Sequence, residues 1–285
     1  MKGKINPVPG SLQGLIVGGW IVALVWLERR RALRRNLENK IVRDVRNLAV
    51  AAGAGIVMRA LEAPIAFRLA KAAEEKRSGL VQRFPFPPFI RGLVAVILLD
   101  YTLYLWHVLT HRVPLLWRFH QVHHIDREMD ASTALRFHLG EIAISVPFRA
   151  MQILLIGPSR MAVASWQILL MVCILFHHSN VRLPIALERQ LARLVITPRL
   201  HGIHHSVAMD QMNTNWSSGL TVWDWLHGTL LTDVPQHEIT IGVAGHQSDK
   251  SQRLPQVLTL PFKEAAPVAD LPNPPGAQSI SALAE

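Results

Sequence analysis

The chain of 285 residues contains one cysteine, Cys173, set inside an apolar run. A single thiol excludes an internal disulfide and any zinc or iron–sulfur centre built from cysteines of one chain. No HExxH is present, and no carboxylate stands between closely spaced histidines to act as the general base of a zinc hydrolase. Haem-binding and flavin-binding segments are equally absent. No small-residue cleavage site follows the first apolar stretch, which therefore reads as a retained span rather than a cleaved signal.

What the chain has in excess is apolar sequence. Half of its residues are hydrophobic, which points to an integral membrane protein. The net charge of +10 is uneven: Arg29, Arg30, Arg31, Arg34 and Arg35 directly follow an apolar stretch. Arginines flanking such a stretch mark a cytoplasmic membrane boundary rather than a nucleic-acid surface. Spans are expected at about Leu12 to Leu27 and Phe89 to Trp106. A further segment, Asn47 to Leu69, is interrupted by Arg59, Glu62 and Pro64, and either spans or lies partly in the interface. Residues 71–88 read as a polar loop. Leu139 to Ile156 is 18 residues, about 27 Å as a helix, and Ser159 to His177 is 19, about 28 Å. Each fits a hydrocarbon layer of roughly 30 Å, and Gly157-Pro158 between them is a turn signal.

Eleven of the 14 histidines fall between residues 107 and 205. His107 and His111 share one helix face, and His120-x-x-His123-His124 and His201-x-x-His204-His205 are two boxes of the same form. A helical hairpin over 139–178 returns to the side it left, so His138 and the pair His177-His178 meet at one surface. Charge places that surface in the cytoplasm, although the 68–91 loop on the other side is also basic. Together the His107/His111 pair and the two boxes offer eight imidazoles, twice what one tetrahedral zinc needs. Two metals of higher coordination fit better, and imidazole suits iron as well as zinc. Asp100, seven residues before His107 on the same face, is expected to accept a hydrogen bond from that imidazole. Of the adjacent pair, His178 is expected to point inward, with His177 at the headgroups or supporting the ligands. His138 either binds metal or flanks the membrane surface, and His227 is expected to be structural.

These motifs resemble the fatty acid hydroxylase/sterol desaturase superfamily of membrane non-haem di-iron enzymes. The likeness runs from about Asp100 to Thr232 and rests on DYTLYLWHVLTH, HQVHH, STALRFHLGE, HHSN, TPRLHGIHHS and NTNWSSGLTVWDWLHGT. It implies an all-α integral membrane bundle of about four to five transmembrane helices, capped by a cytosolic histidine-rich helical layer. The domain order becomes membrane spans and loop over 1–88, a di-iron catalytic domain over 89–234, and a disordered tail over 235–285. The implied iron ligands are His107, His111, His120, His123, His124, His201, His204 and His205, completed by His178 and His138. Asp100, Glu141, Asp126 and Asp224 would compensate charge around them. The resemblance further implies two iron ions, O2 as co-substrate, and NAD(P)H electrons delivered by a separate carrier and reductase. The expected reaction is hydroxylation or desaturation of a membrane lipid, in a bacterial inner membrane or the endoplasmic reticulum. The alternatives are a membrane zinc hydrolase, a metal-transport or metal-binding protein, and a bis-histidine haem protein.

Overall fold

The computed structural model describes residues 9–263, an all-helical chain in which the described residues form no strand, only three isolated bridges. Five helical segments are long and apolar enough to cross a membrane, and the protein is a multi-pass membrane protein. The first is α1 (Gly10–Arg30), three residues longer at its C-terminal end than the apolar run suggests. Next comes one continuous segment of 43 residues, Lys40–Gln82, made of α2 (Lys40–Val57), a π-helical turn (Met58–Glu62), α3 (Ala63–Lys76) and a short 3-10 turn. The third span belongs to α4 (Pro88–Arg112), which carries both His107 and His111.

The interruption expected around Arg59, Glu62 and Pro64 is absorbed without breaking the helix. Pro64 lacks an N–H and its ring crowds the carbonyl four residues back. The wider π turn just before it relieves that clash. The first part of the expected polar loop is also helical, because α3 runs on to Lys76 before Arg77 ends it in the left-handed region.

The hairpin is formed by α6 (Leu139–Ile156) and α7 (Arg160–His178). Gly157 caps α6 at φ 72°, and Ser159 caps α7 by accepting from the Ala162 N–H. At Gly79 an added Cβ would stand 2.4 Å from the Gly157 Cα, so two glycines let the 77–80 turn seat against the hairpin bend. Both hairpin helices end on the histidine side.

There the short helices α5 (Pro114–His124), α8 (Ile185–Leu191), α9 (Pro198–His204), α10 (Met209–Met212) and α11 (Val222–Leu226) form a cap. A buried polar knot fixes the cap to α2. Arg43, fully buried, donates to both oxygens of Asp126 at 2.9 Å and to the Glu128 carbonyl at 3.0 Å. Asn47 adds 2.9 Å bonds to Asp126 and Ser132, and Arg136 donates to the Val122 carbonyl and the Asn47 amide oxygen. Pairing of this quality is what lets charges be buried at all.

The disorder expected from Pro235 onward does not hold for the described part of that segment, while 264–285 lie outside the described residues. Residues 235–263 form a strap that includes α12 (Leu254–Thr259). Val257 is buried with Val50, Val122 and Ile125, and Gln252 donates to the Ile125 carbonyl at 2.7 Å. The segment's average composition hides a few apolar side chains (Ile241, Val243, Leu254 and Val257) that bury enough surface to order it.

Candidate metal centre

Helical spacing decides which imidazoles meet. Two buried groups form: His107, His111, His120, His124 and His204, and beside it His123, His178, His201 and His205. Within each group one nitrogen per ring lies within 4.8 Å of every other. α4 contributes the first pair, α5 divides its three histidines between the groups, α7 ends on His178, and α9 with the residue after it divides the second box. The rings of His124 and His205 stack at 4.2 Å across the boundary.

The outward nitrogens have specific partners. His107 Nδ1 lies 2.6 Å from the Trp216 carbonyl, His204 Nδ1 2.8 Å from the Thr214 carbonyl, His178 Nδ1 2.9 Å from the Ile174 carbonyl, and His120 Nδ1 2.7 Å from Glu141 Oε1. A carbonyl or carboxylate accepts only from an N–H, so each of these rings keeps its proton outside and turns the Nε2 lone pair inward. The inward Nε2 atoms of His111, His120 and His204, both nitrogens of His124 and both of His205 are buried without a hydrogen-bond partner. In the second group His178 Nε2 stands 2.9 Å from His123 Nε2 and 3.0 Å from His201 Nε2. Buried polar atoms are normally satisfied. Lone pairs converging within each group, four of the nine rings backed by an outward hydrogen bond, fit a metal cation.

The electrostatics agree. Burial, reinforced by the neighbouring imidazoles, holds His123, His124, His201 and His205 well below the usual histidine range. Burial takes His204 down to about 3, against the Thr214 carbonyl, which pulls the other way. These rings are neutral at physiological pH, the form that ligates.

Four expectations need correction. His138 belongs to neither group: its Nδ1 accepts from the Gly140 N–H, capping α6, and its Nε2 meets the Leu258 carbonyl of the strap at 3.2 Å, so both nitrogens are engaged. Asp100 does not face His107. It accepts from Trp223 Nε1 at 2.7 Å and from the Leu220 N–H at 3.1 Å, tying the 216–229 segment to α4. Asp126 serves the Arg43 knot, whose guanidinium holds its carboxyl far below the usual range against the effect of burial. Asp224 touches no imidazole; it accepts from the Trp216 and Ser217 N–H groups, both at 2.9 Å, and from Thr229 at 2.7 Å, while burial pushes its carboxyl up to about 6.

His177 is buried with its ring 4.1 Å from that of His201, so it lies inside the cap rather than at headgroups, yet it joins neither group. His227 stacks on Tyr104 at 5.0 Å and meets the Tyr101 hydroxyl at 3.2 Å. Two backbone carbonyls, of Thr214 and Trp216, were not anticipated. The NTNW segment carries a signal for them in Asn215, which sits at φ 52° and binds the Leu200 and Leu231 backbones.

The histidines open on a cavity of about 700 Å³ among the spanning helices, with His107, His120, His123, His178 and His201 in its wall. Leu103, Trp106, Ile142, Leu170 and Ile174 continue the wall away from the cap.

The chain is thus a multi-pass helical protein with two buried all-histidine groups above a mostly apolar chamber among its spans. Residues 92–229, just under half of the chain, match the family model for fatty acid hydroxylase, and together with the curated relatives that match the chain they support its likeness to the fatty acid hydroxylase/sterol desaturase superfamily. It is 29% identical over 161 residues to an ornithine lipid hydroxylase of Rhizobium tropici, covering 56% of this chain and 47% of the relative. Human alkylglycerol monooxygenase is 30% identical over 131 residues (46% of this chain, 28% of the relative) and human cholesterol 25-hydroxylase 28% over 142 (49% and 51%). The matches thus span about half or less of these curated relatives. No solved structure matches the chain.

Proposed function

We propose that the protein is a di-iron, O2-dependent oxygenase that hydroxylates a C–H bond of a membrane lipid, with residues 89–234 as its catalytic domain. The observation that carries this reading is the pair of buried imidazole groups, five and four, opening directly into an apolar chamber among the spans. Nine imidazole donors exceed the needs of one tetrahedral zinc. No carboxylate sits in either group to act as the base of a hydrolase. Ligands gathered at the helix ends also differ from the mid-membrane relay of a transporter. The relatives' names, all hydroxylases or monooxygenases, favour hydroxylation over desaturation.

His107, His111, His120, His124 and His204 would hold one iron, and His123, His178, His201 and His205 the other. Bound iron would supply the oxidising chemistry, with O2 as co-substrate and NAD(P)H electrons arriving through a separate carrier and reductase. The chain's own contribution is positional. The Trp216, Thr214 and Ile174 carbonyls and Glu141 fix ring tautomer and direction. The chamber walls exclude water and hold the lipid so that one C–H faces the histidines. The arginines after α1 orient the cap toward the cytoplasm.

The test is metal analysis of the purified full chain with Mössbauer spectroscopy. Two irons per chain are expected; a single zinc, or a Soret band, overturns the reading.

A further inference from the structure

The chamber below the histidines is lined mostly by apolar side chains, and away from the histidines Glu62 and Arg149 enter its wall as an ion pair. Both side chains are largely buried, and Arg149 Nε lies 3.3 Å from Glu62 Oε1. The guanidinium is held on two further sides, by a hydrogen bond from Nη1 to the Gln152 amide oxygen and by the Trp166 ring, whose centroid is 4.4 Å from Cζ. Gln152 is fixed in turn by the Leu99 carbonyl and Thr102. A charged pair inside a spanning bundle is expensive and calls for a use. Stability is a poor one, since apolar residues of similar volume would do as well.

The backbone is also adapted here. The π turn Met58–Glu62 ends on Glu62, and it contributes Met58 and Glu62 to the chamber wall. A π turn adds one residue to the helix and so rotates the downstream residues by about 100° relative to a plain α-helix. On α6, Glu141, Ser145 and Arg149 lie four residues apart and all line the chamber, one face leading from the His120 partner to the ion pair. Eight residues separate Glu141 from Arg149, a rise of about 12 Å.

From this we infer that Glu62 and Arg149 form a polar subsite that binds a hydroxyl group of a lipid, with the lipid's apolar body running toward the histidines. The inference rests on the chamber being the substrate chamber. The chemistry selects an uncharged hydroxyl. Glu62 and Gln152 engage two of the five N–H donors of Arg149, which leaves donors for an incoming oxygen. The Glu62 carboxylate accepts the hydroxyl proton, so the group is bound as donor and acceptor at once. A carboxylate ligand would face Glu62 at close range in low dielectric and be repelled. The subsite therefore sets the distance between the hydroxyl and the oxidised carbon, on the order of 12 Å.

The experiment uses the full chain in nanodiscs and photocrosslinking probes of matched apolar body: a long-chain primary alcohol, the corresponding acid, the corresponding alkane, and a sterol. Competition by unlabelled lipid gives relative affinities without turnover. The alcohol or the sterol should bind at least about tenfold more tightly than the alkane, with crosslinks in the α6 and α7 peptides. Which of the two wins tells a linear from a ring-bearing body. The double variant Glu62→Gln/Arg149→Met removes both charges together, leaving neither one buried alone. It should abolish the preference for the hydroxyl while retaining wild-type iron content. Binding of the alkane by the wild type as tight as that of both the alcohol and the sterol overturns the inference, as does tighter binding of the acid, or a hydroxyl preference that survives in the double variant. Absence of iron from the wild type would instead sink the oxygenase reading, and the binding comparison would still stand on its own.

Discussion

His120 Nδ1 and Glu141 Oε1, on α5 and α6, are 2.7 Å apart and both side chains are buried. This contact ties the first histidine box to the chamber wall and leaves His120 Nε2 facing the first histidine group. Glu141→Gln keeps the shape and removes the charge. Metal binding should weaken by about 10- to 100-fold, read as iron per chain after dialysis against graded chelator. Unchanged retention would show that the carboxylate has no part in holding the ring.

Asp224 holds the Trp216 backbone whose carbonyl meets His107. Its carboxylate accepts three bonds, from two N–H groups and the Thr229 hydroxyl, and an asparagine must turn an NH2 toward one of those donors. Asp224→Asn should cost about 1–3 kcal/mol and lower iron occupancy with it. A thermal melt paired with metal analysis checks both.

Gly202, between the histidines of the second box, has its Cα against the Arg34 guanidinium: an added Cβ would fall 1.8 Å from Nη2. Arg34 also donates to the Pro198 carbonyl at the start of α9 at 3.0 Å. Gly202→Ala should therefore destabilise the cap by about 1–3 kcal/mol, and adding Arg34→Ala should recover part of that loss. Strict additivity in the double-mutant cycle would contradict the contact.

The strap predicts an effect on metal exchange. Val257→Asp places a charge in the pocket shared with Val122 and Ile125, at a cost of at least about 2 kcal/mol. A water-soluble chelator should then strip iron faster than from the wild type, followed as colour development with time.

Metal removal itself should be felt by the whole cap. Nine buried imidazoles would be left with lone pairs facing one another. At a free metal concentration about 100 times Kd, binding contributes about 2.7 kcal/mol to stability. The melting temperature should fall on chelation and return with ferrous iron.

Local periodicity carried much of the architecture. Leu139–Ile156 was legible to the residue because its length, its apolar run and Gly157 all mark the same ends. The meeting of the histidine boxes followed from the hairpin. What spacing could not supply was the identity of partners distant in sequence. Asp100 shares a helix face with His107, but the side chain bonds Trp223, 123 residues later. His138 is positioned for a metal by sequence, yet the strap meets it 120 residues downstream. The π turn was hidden for a different reason: Arg59, Glu62 and Pro64 read as defects in a span until the chamber that Glu62 borders is known.

The strap closes on the cap at the His205 and Ile125 backbones, while the chamber extends along α6 toward Arg149, among helices that face lipid. A lipid oxygenase arranged in this way would meter its substrate as a mole fraction of the bilayer, not as a molarity in water. Diluting the substrate with inert lipid at constant total amount should slow it, and adding more of the same mixed vesicles should not.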